Sequence, residues 1–174
     1  FVHRAQIAAQ GLAKDDFFTV IFGDINHVEI KGVLGWARNH GVAELDTKFI
    51  EDMENIPRRL GILSQTTQLP KHFNAFVKSI IDTAMGKDSE IRIIDTICYD
   101  IRQRQAAALE LAHRVDTMLI IGGHSSANTK HLVGLCAKIT RTYLVETADE
   151  IAPSWFAPQQ RIGIASGAST DEQT

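Results

Sequence analysis

Thr117-Met-Leu-Ile-Ile121 is followed by Gly122-Gly-His-Ser-Ser-Ala-Asn128 and then by a helical pattern that runs to about Ile139. A short, continuous apolar run bounded by glycine reads as a buried strand. With the polar tip and the helix beyond it, this is one strand–loop–helix unit. The same order recurs outward along the chain. Thr19–Phe22 runs into Gly23-Asp-Ile-Asn-His27 and a helix from about Val28 to Arg38. Leu60–Leu63 runs into Ser64-Gln-Thr-Thr67, with Pro70 near the first turn of the next helix, where its missing N–H is not needed. Glu90–Ile94 leads to Asp95-Thr-Ile-Cys98 and a helix through Gln103–His113, and Arg161–Ile164 leads to Ser166-Gly-Ala-Ser-Thr170. Strands alternating with helices predict parallel α/β units. Right-handed crossovers put the strand C-termini on one edge, where open α/β sheets bind ligands. The polar stretch Ala84–Ser89 falls between two such series. The fold class expected is therefore α/β, with two similar lobes of short, mostly parallel sheets flanked by helices, over residues 1–86 and 87–174.

Composition narrows the function. The chain has 174 residues, 44% of them apolar and 22% charged, with a net charge of −3. No basic field exists to hold a nucleic-acid backbone. No apolar run approaches the roughly 20 residues that cross a bilayer. Phe1-Val-His-Arg4 is neither a signal peptide nor an initiator methionine, so the chain is expected to be cut from a longer one. Two cysteines, Cys98 and Cys136, cannot make a disulfide framework, and a reducing, cytoplasm-like compartment is expected.

The chemistry-bearing residues sit at the strand tips. Ser126, Asn128 and Thr129 stand where a helix begins, and free N–H groups with a positive dipole end suit a phosphate. They equally suit plain helix capping. Ser169 and Thr170, after Gly167, repeat the arrangement. Cys98 lies between a strand and a helix, where the dipole favours a thiolate that can ligate metal or attack; a small buried residue is the alternative. Cys136 falls on the apolar stripe Leu132–Ile139 and reads as core. His27 and Glu29 flank Val28 at another tip. Histidine can pair with phosphate and a carboxylate beside it can pass a proton, yet a solvated first turn explains both. Thr66 and Thr67 are suited to orienting a hydroxyl or to capping the helix near Pro70. Trp36 and Trp155 read as packing.

In order and spacing these loops resemble the 4-hydroxy-3-methylbut-2-enyl diphosphate reductase family over nearly the whole chain. Asp95-Thr-Ile-Cys98 with Arg104-Gln105 is similar to its third cluster-cysteine segment, and Gly122–Thr129 to its diphosphate loop. Ser64-Gln-Thr-Thr67, Gly167-Ala-Ser-Thr170 and Asn26-His-Val-Glu29 resemble three further segments. Val28 replaces the usual proline, Ser125 an asparagine, and Asp171 stands where proline is expected. The resemblance implies three α/β lobes around a [4Fe–4S] cluster held by three cysteines. The chain then corresponds to the middle and C-terminal lobes, with the N-terminal lobe and two ligands outside it. Cys98 would be the third ligand, Glu29 the proton source and Thr66 a group that orients the substrate hydroxyl. His27, Ser126, Asn128 and Ser169 would hold the diphosphate. The implied reaction is reductive dehydroxylation to isopentenyl and dimethylallyl diphosphate, with electrons from a donor such as ferredoxin or flavodoxin. The fragment alone is expected to be inactive, and the location to be cytoplasmic, or plastid stroma in a plant or alga. A redox-free module that binds a phosphate ligand is the alternative, and a domain that only packs against a partner is a third.

Overall fold

The computed structural model describes residues 1–52, 56–85, 88–167 and 170. The chain divides into two compact units, Phe1–Cys98 and Tyr99–Thr174.

In chain order the first unit contains α1 (Val2–Lys14), β1 (Phe18–Phe22), α2 (Val28–Trp36), β2 (Gly41–Glu44), α3 (Lys48–Glu51), β3 (Arg59–Ser64), α4 (Pro70–Ala84) and β4 (Glu90–Ile93). Its sheet is parallel throughout, in the order β2-β1-β3-β4. Both faces are covered, and the sequence alternates to suit. Ile21 of β1 and Leu63 of β3 pack against Ala5, Ala9 and Leu12 of α1 and Ile30 and Val33 of α2. Val20, Phe22, Leu60 and Ile62 face the other way, onto Phe73, Phe76 and Ile80 of α4. A β-strand turns successive side chains to opposite faces, so a strand buried on both sides reads as an unbroken apolar run. Gly61 marks the closest approach of α1 to the sheet: a Cβ there would lie 2.5 Å from a Leu12 methyl. Pro70 opens α4 as expected.

The second unit contains α5 (Tyr99–Ala112), β5 (Thr117–Ile121), α6 (Ala127–Cys136), β6 (Arg141–Val145), two short 3₁₀ turns (Ala148–Glu150 and Pro153–Trp155) and β7 (Ile162–Ser166). Its sheet is also parallel, in the order β6-β5-β7. Met118 and Ile120 of β5 meet Ala108 and Ala112 of α5 and Leu132 and Cys136 of α6. Trp155 lies flat on Tyr143, with ring centroids 4.0 Å apart, a packing role for this tryptophan as its sequence setting implies.

The two parallel α/β sheets match the expected fold class. The boundary lies elsewhere than the polar stretch suggested. β4 pairs with β3 from Arg59↔Glu90 to Ile62↔Ile93, so it completes the first sheet, and the division comes at Cys98 rather than after residue 86. The polar stretch is the connection from α4 to β4. Helix α5 begins at Tyr99, directly after Cys98, and α6 stops at Cys136. The helices expected over Gln103–His113 and on to Ile139 are therefore shifted at their ends.

The units repeat each other at the tips. Gly23 N–H donates to Glu44 O (3.1 Å) and Gln65 N–H to Phe22 O (2.9 Å) in the first unit. In the second, Gly122 N–H donates to Val145 O (3.0 Å) and Gly167 N–H to Ile121 O (2.9 Å). In each, the first strand of the sheet has the next two on opposite sides of it. That reversal of strand order opens a crevice at the C-terminal edge.

Candidate functional site

In the first unit the crevice lies between the tips of β1 and β3. His27 is the N-cap of α2, and its Nδ1 accepts the Glu29 N–H at 3.2 Å. With Nδ1 accepting, a neutral imidazole carries its proton on Nε2, which is then the donor available to an anion. Val28 occupies the first helical position, where proline is favoured, and it is 80% exposed. The cap forms without proline, so this departure leaves the loop intact.

Glu29 is 8% exposed, not a solvated first-turn acid. Its Oε1 accepts the Thr66 N–H at 2.8 Å and its Oε2 accepts the Thr66 hydroxyl at 3.0 Å. Two donors from one residue are what offset the cost of removing a carboxylate from water. Thr66 does not cap α4; that helix has Leu69 as N-cap, without a side-chain bond. The carbonyl of Thr66 accepts the Cys98 N–H at 2.9 Å. One residue thus holds the acid on one side and the cysteine on the other. Cys98 is 7% exposed. Gln65 ties the β1 and β3 tips together, its Oε1 accepting the Asp24 N–H at 3.2 Å.

In the second unit the crevice lies between the tips of β5 and β7. Ser126 caps α6, its Oγ accepting the Thr129 N–H at 3.3 Å. Capping is therefore one of its roles. Asn128 is different: it is 5% exposed, and neither its Oδ1 nor its Nδ2 meets a partner among the described residues. A buried amide left unpaired costs free energy unless something else satisfies it. The helix start around it supplies further unpaired N–H groups. The Thr129 hydroxyl is likewise buried and without a partner among the described residues, wedged between two glycines. A Cβ on Gly122 would lie 2.7 Å from it, and one on Gly167 2.5 Å. The Thr170 hydroxyl donates to Ile121 O at 3.1 Å, drawing the β7 tip onto β5. Ser169 and Asp171 lie outside the described residues.

Glu29 and Asn128 stand equally far beyond the ends of β1 and β5, each two residues past a side-chain helix cap. This internal correspondence is written in the sequence and was not read from it. Gln65 was missed because a tip glutamine carries no chemical signature of its own.

Among the described residues no group of three or more His, Cys, Asp or Glu side chains is arranged to hold a metal ion. Cys98 offers one thiol, beside the tip of β3. Cys136 is fully buried against Ala108 O, and burial pushes its thiol pKa up, as befits the core position expected for it. A cluster on Cys98 would need its other thiolates from outside the described residues, which suits a chain that supplies one ligand. At the opposite edge of the first sheet a groove is lined by Asp16, His40, Arg58, Arg59 and Glu90. Its charges are largely paired with each other, Arg58 with Asp88 and Arg59 with Glu90.

The chain is 58% identical over its full length to the 4-hydroxy-3-methylbut-2-enyl diphosphate reductase of Dehalococcoides mccartyi strain CBDB1, covering 61% of that protein. It is 37% identical to the reductase of the same name from Campylobacter jejuni strain RM1221, over 99% of the chain and again 61% of the relative. It thus spans about three-fifths of the length of these relatives. A solved structure described as this reductase, the terminal enzyme of the non-mevalonate pathway, superposes with a TM-score of 0.61 at 35% identity, covering 99% of the chain and 61% of its own. The E-1-hydroxy-2-methyl-but-2-enyl-4-diphosphate reductase of Plasmodium falciparum gives 0.85 at 25% identity, over 99% and 54%. The family model described as LytB protein matches residues 1–174, the whole chain, and the chain belongs to that family.

Proposed function

We propose that this chain forms two of the α/β units of an iron–sulfur reductase. Its reaction would remove the hydroxyl of 4-hydroxy-3-methylbut-2-enyl diphosphate and yield isopentenyl and dimethylallyl diphosphate. The carrying observation is Thr66, which holds both oxygens of the buried Glu29 and the backbone of Cys98. A phosphate-binding module without redox chemistry has no use for a thiol placed there.

The balance of the reaction is two electrons and two protons in, with one water out. A [4Fe–4S] cluster, with Cys98 as one ligand, supplies the electrons singly when bound, drawing them from a small carrier such as ferredoxin or flavodoxin. The rest falls to side chains. Glu29 holds the proton that leaves with the hydroxyl. When Glu29 carries that proton the Thr66 hydroxyl turns, accepting from the acid and donating to the substrate oxygen, and so links Glu29 to the leaving group. His27 Nε2–H, Asn128, Ser126, Ser169 and the α6 N-terminus bind the diphosphate. No helix among the described residues is long and apolar enough to cross a membrane, and the proposed setting is cytoplasmic.

The test is the full-length protein, expressed and purified without oxygen, assayed for iron, sulfide and turnover. Four irons with formation of both products would support the reading. Diphosphate binding with neither iron nor sulfide would overturn it in favour of the redox-free module.

A further inference from the structure

The segment that delivers Cys98 is not a strand, yet it runs along β3 as one. Ile94 N–H donates to Ile62 O at 2.9 Å, and Cys98 N–H to Thr66 O at 2.9 Å. Between these two rungs a third is due at residue 64. It is made by a side chain: Thr96 Oγ1 accepts the Ser64 N–H at 2.9 Å and donates to Ser64 O. Thr96 is 3% exposed and Ser64 1%. A hydroxyl with one donor and two acceptor sites can replace both halves of a peptide unit in such a rung. No water reaches the Ser64 backbone to take over, so the rung depends on this hydroxyl.

Serine would keep the hydroxyl, valine would keep the shape, and only threonine holds both while filling the site with a methyl group. Two residues further along, the same segment presents Cys98 to Thr66, and through it to Glu29. We infer that Thr96 is a positioning residue for the Cys98 thiol, fixing it at the tip of β3 by standing in for a missing strand rung. The inference rests on Cys98 being the cluster ligand for its functional meaning, but not for its geometry.

The test compares Thr96→Val and Thr96→Ser in the full-length protein. In the cluster-free protein, peptide-resolved alkylation reads the accessibility of Cys98, with the buried Cys136 as internal control. Thr96→Val is expected to raise the Cys98 alkylation rate at least about tenfold, because an unsatisfied buried pair frees the segment. Thr96→Ser is expected to stay near wild type, and Cys136 to stay slow in both. In the reconstituted protein, Thr96→Val should lose iron to a chelator faster and show an altered electron paramagnetic resonance signal, with Thr96→Ser again rescuing both. Hydrogen exchange in the wild type needs no variant: the Ser64 and Cys98 amides should exchange as slowly as those inside β3. An unchanged Cys98 rate in Thr96→Val overturns the inference, as does equal loss in both variants, which would assign the effect to packing. Fast exchange at Ser64 and Cys98 overturns it even should Thr96→Val fail to fold. A wild-type protein that takes up no iron would sink the proposed function, while the alkylation result would still decide the role of Thr96.

Discussion

Replacing Glu29 with glutamine separates proton delivery from structure, because the site can absorb the change sterically. The glutamine oxygen keeps the Thr66 N–H bond now 2.8 Å long. Its NH2 meets Thr66 Oγ1, at 3.0 Å from the present carboxylate oxygen, and the hydroxyl can rotate from donor to acceptor. Two charge-assisted bonds become neutral ones, a loss of about 1–2 kcal/mol in all. Removing a buried charge offsets part of that loss. The net cost is about 1 kcal/mol, or a fall of roughly 2–4 °C in Tm. A general acid contributes on the order of 10²–10⁴ in rate. The turnover of Glu29→Gln should therefore fall by about a hundredfold or more, far beyond what the stability change explains. Asn128→Ala should do the reverse, raising KM by about tenfold with the rate little changed, since the role proposed for its amide is to hold the diphosphate. Single-turnover kinetics on the reconstituted full-length protein, with product quantified under saturating reductant, separate the two effects. A Glu29→Gln variant that kept its rate and lost affinity would refute proton delivery and move Glu29 to the diphosphate side.

Three further outcomes are expected. Cys98→Ser should abolish cluster retention in the full-length protein while Cys136→Ser leaves it near wild type; iron and sulfide contents decide, and equal contents in the wild type and Cys98→Ser would end the assignment. Gly122→Ala should cost about 1–3 kcal/mol and weaken diphosphate binding, because Gly122 holds φ at +151° and its Cβ would press on the Thr129 and Thr170 hydroxyls; unaltered Tm and KM would show the two loops to be independent. The Glu150 carboxylate is held below its usual range, first by the Glu146 N–H and then by His124. A depressed folded value means stabilisation that is present above the carboxylate range and lost as pH falls through the folded value. Amide exchange at Glu146, corrected for its intrinsic rate, should quicken only on that acid side, and pH-independent protection would count against the link.

What the sequence made legible follows from where the free energy is local. β1, β3 and β5 are central strands buried on both faces, so each is an unbroken apolar run and each was readable. β2 and β6 are edge strands with mixed exposure: Gly41-Val-Ala-Glu44 and Arg141-Thr-Tyr-Leu-Val145 lack that signature, and both passed unread. The place of β4 was misread for a different reason. Its residues Glu90-Ile-Arg-Ile93 have only weak burial to declare a partner, and which sheet a strand joins is settled by pairing with β3, a contact far away in sequence. The site divides in the same way. His27 and Ser126 were legible as helix starts because capping is local chemistry. Glu29 looked like an ordinary solvated first-turn acid, since nothing near it in sequence reveals that Thr66 will bury it.

The same reasoning explains why Thr66 and Thr96, read locally, look like ordinary turn residues. Each performs its role through a neighbour more than thirty positions distant, Glu29 for one and Ser64 for the other. Between them they leave no freedom in the order of parts. Thr96 fixes the segment against β3, Cys98 is fixed by the Thr66 carbonyl, and Glu29 by the Thr66 amide and hydroxyl. A shift of the β3 tip would therefore carry the thiol and the acid together, preserving their separation. In the proposed reaction a proton donor and a cluster ligand serve one bond, and small misplacements of such groups cost rate steeply. The Glu29 carboxylate and the Cys98 backbone are held by a single residue, Thr66, two positions beyond the end of the central strand β3.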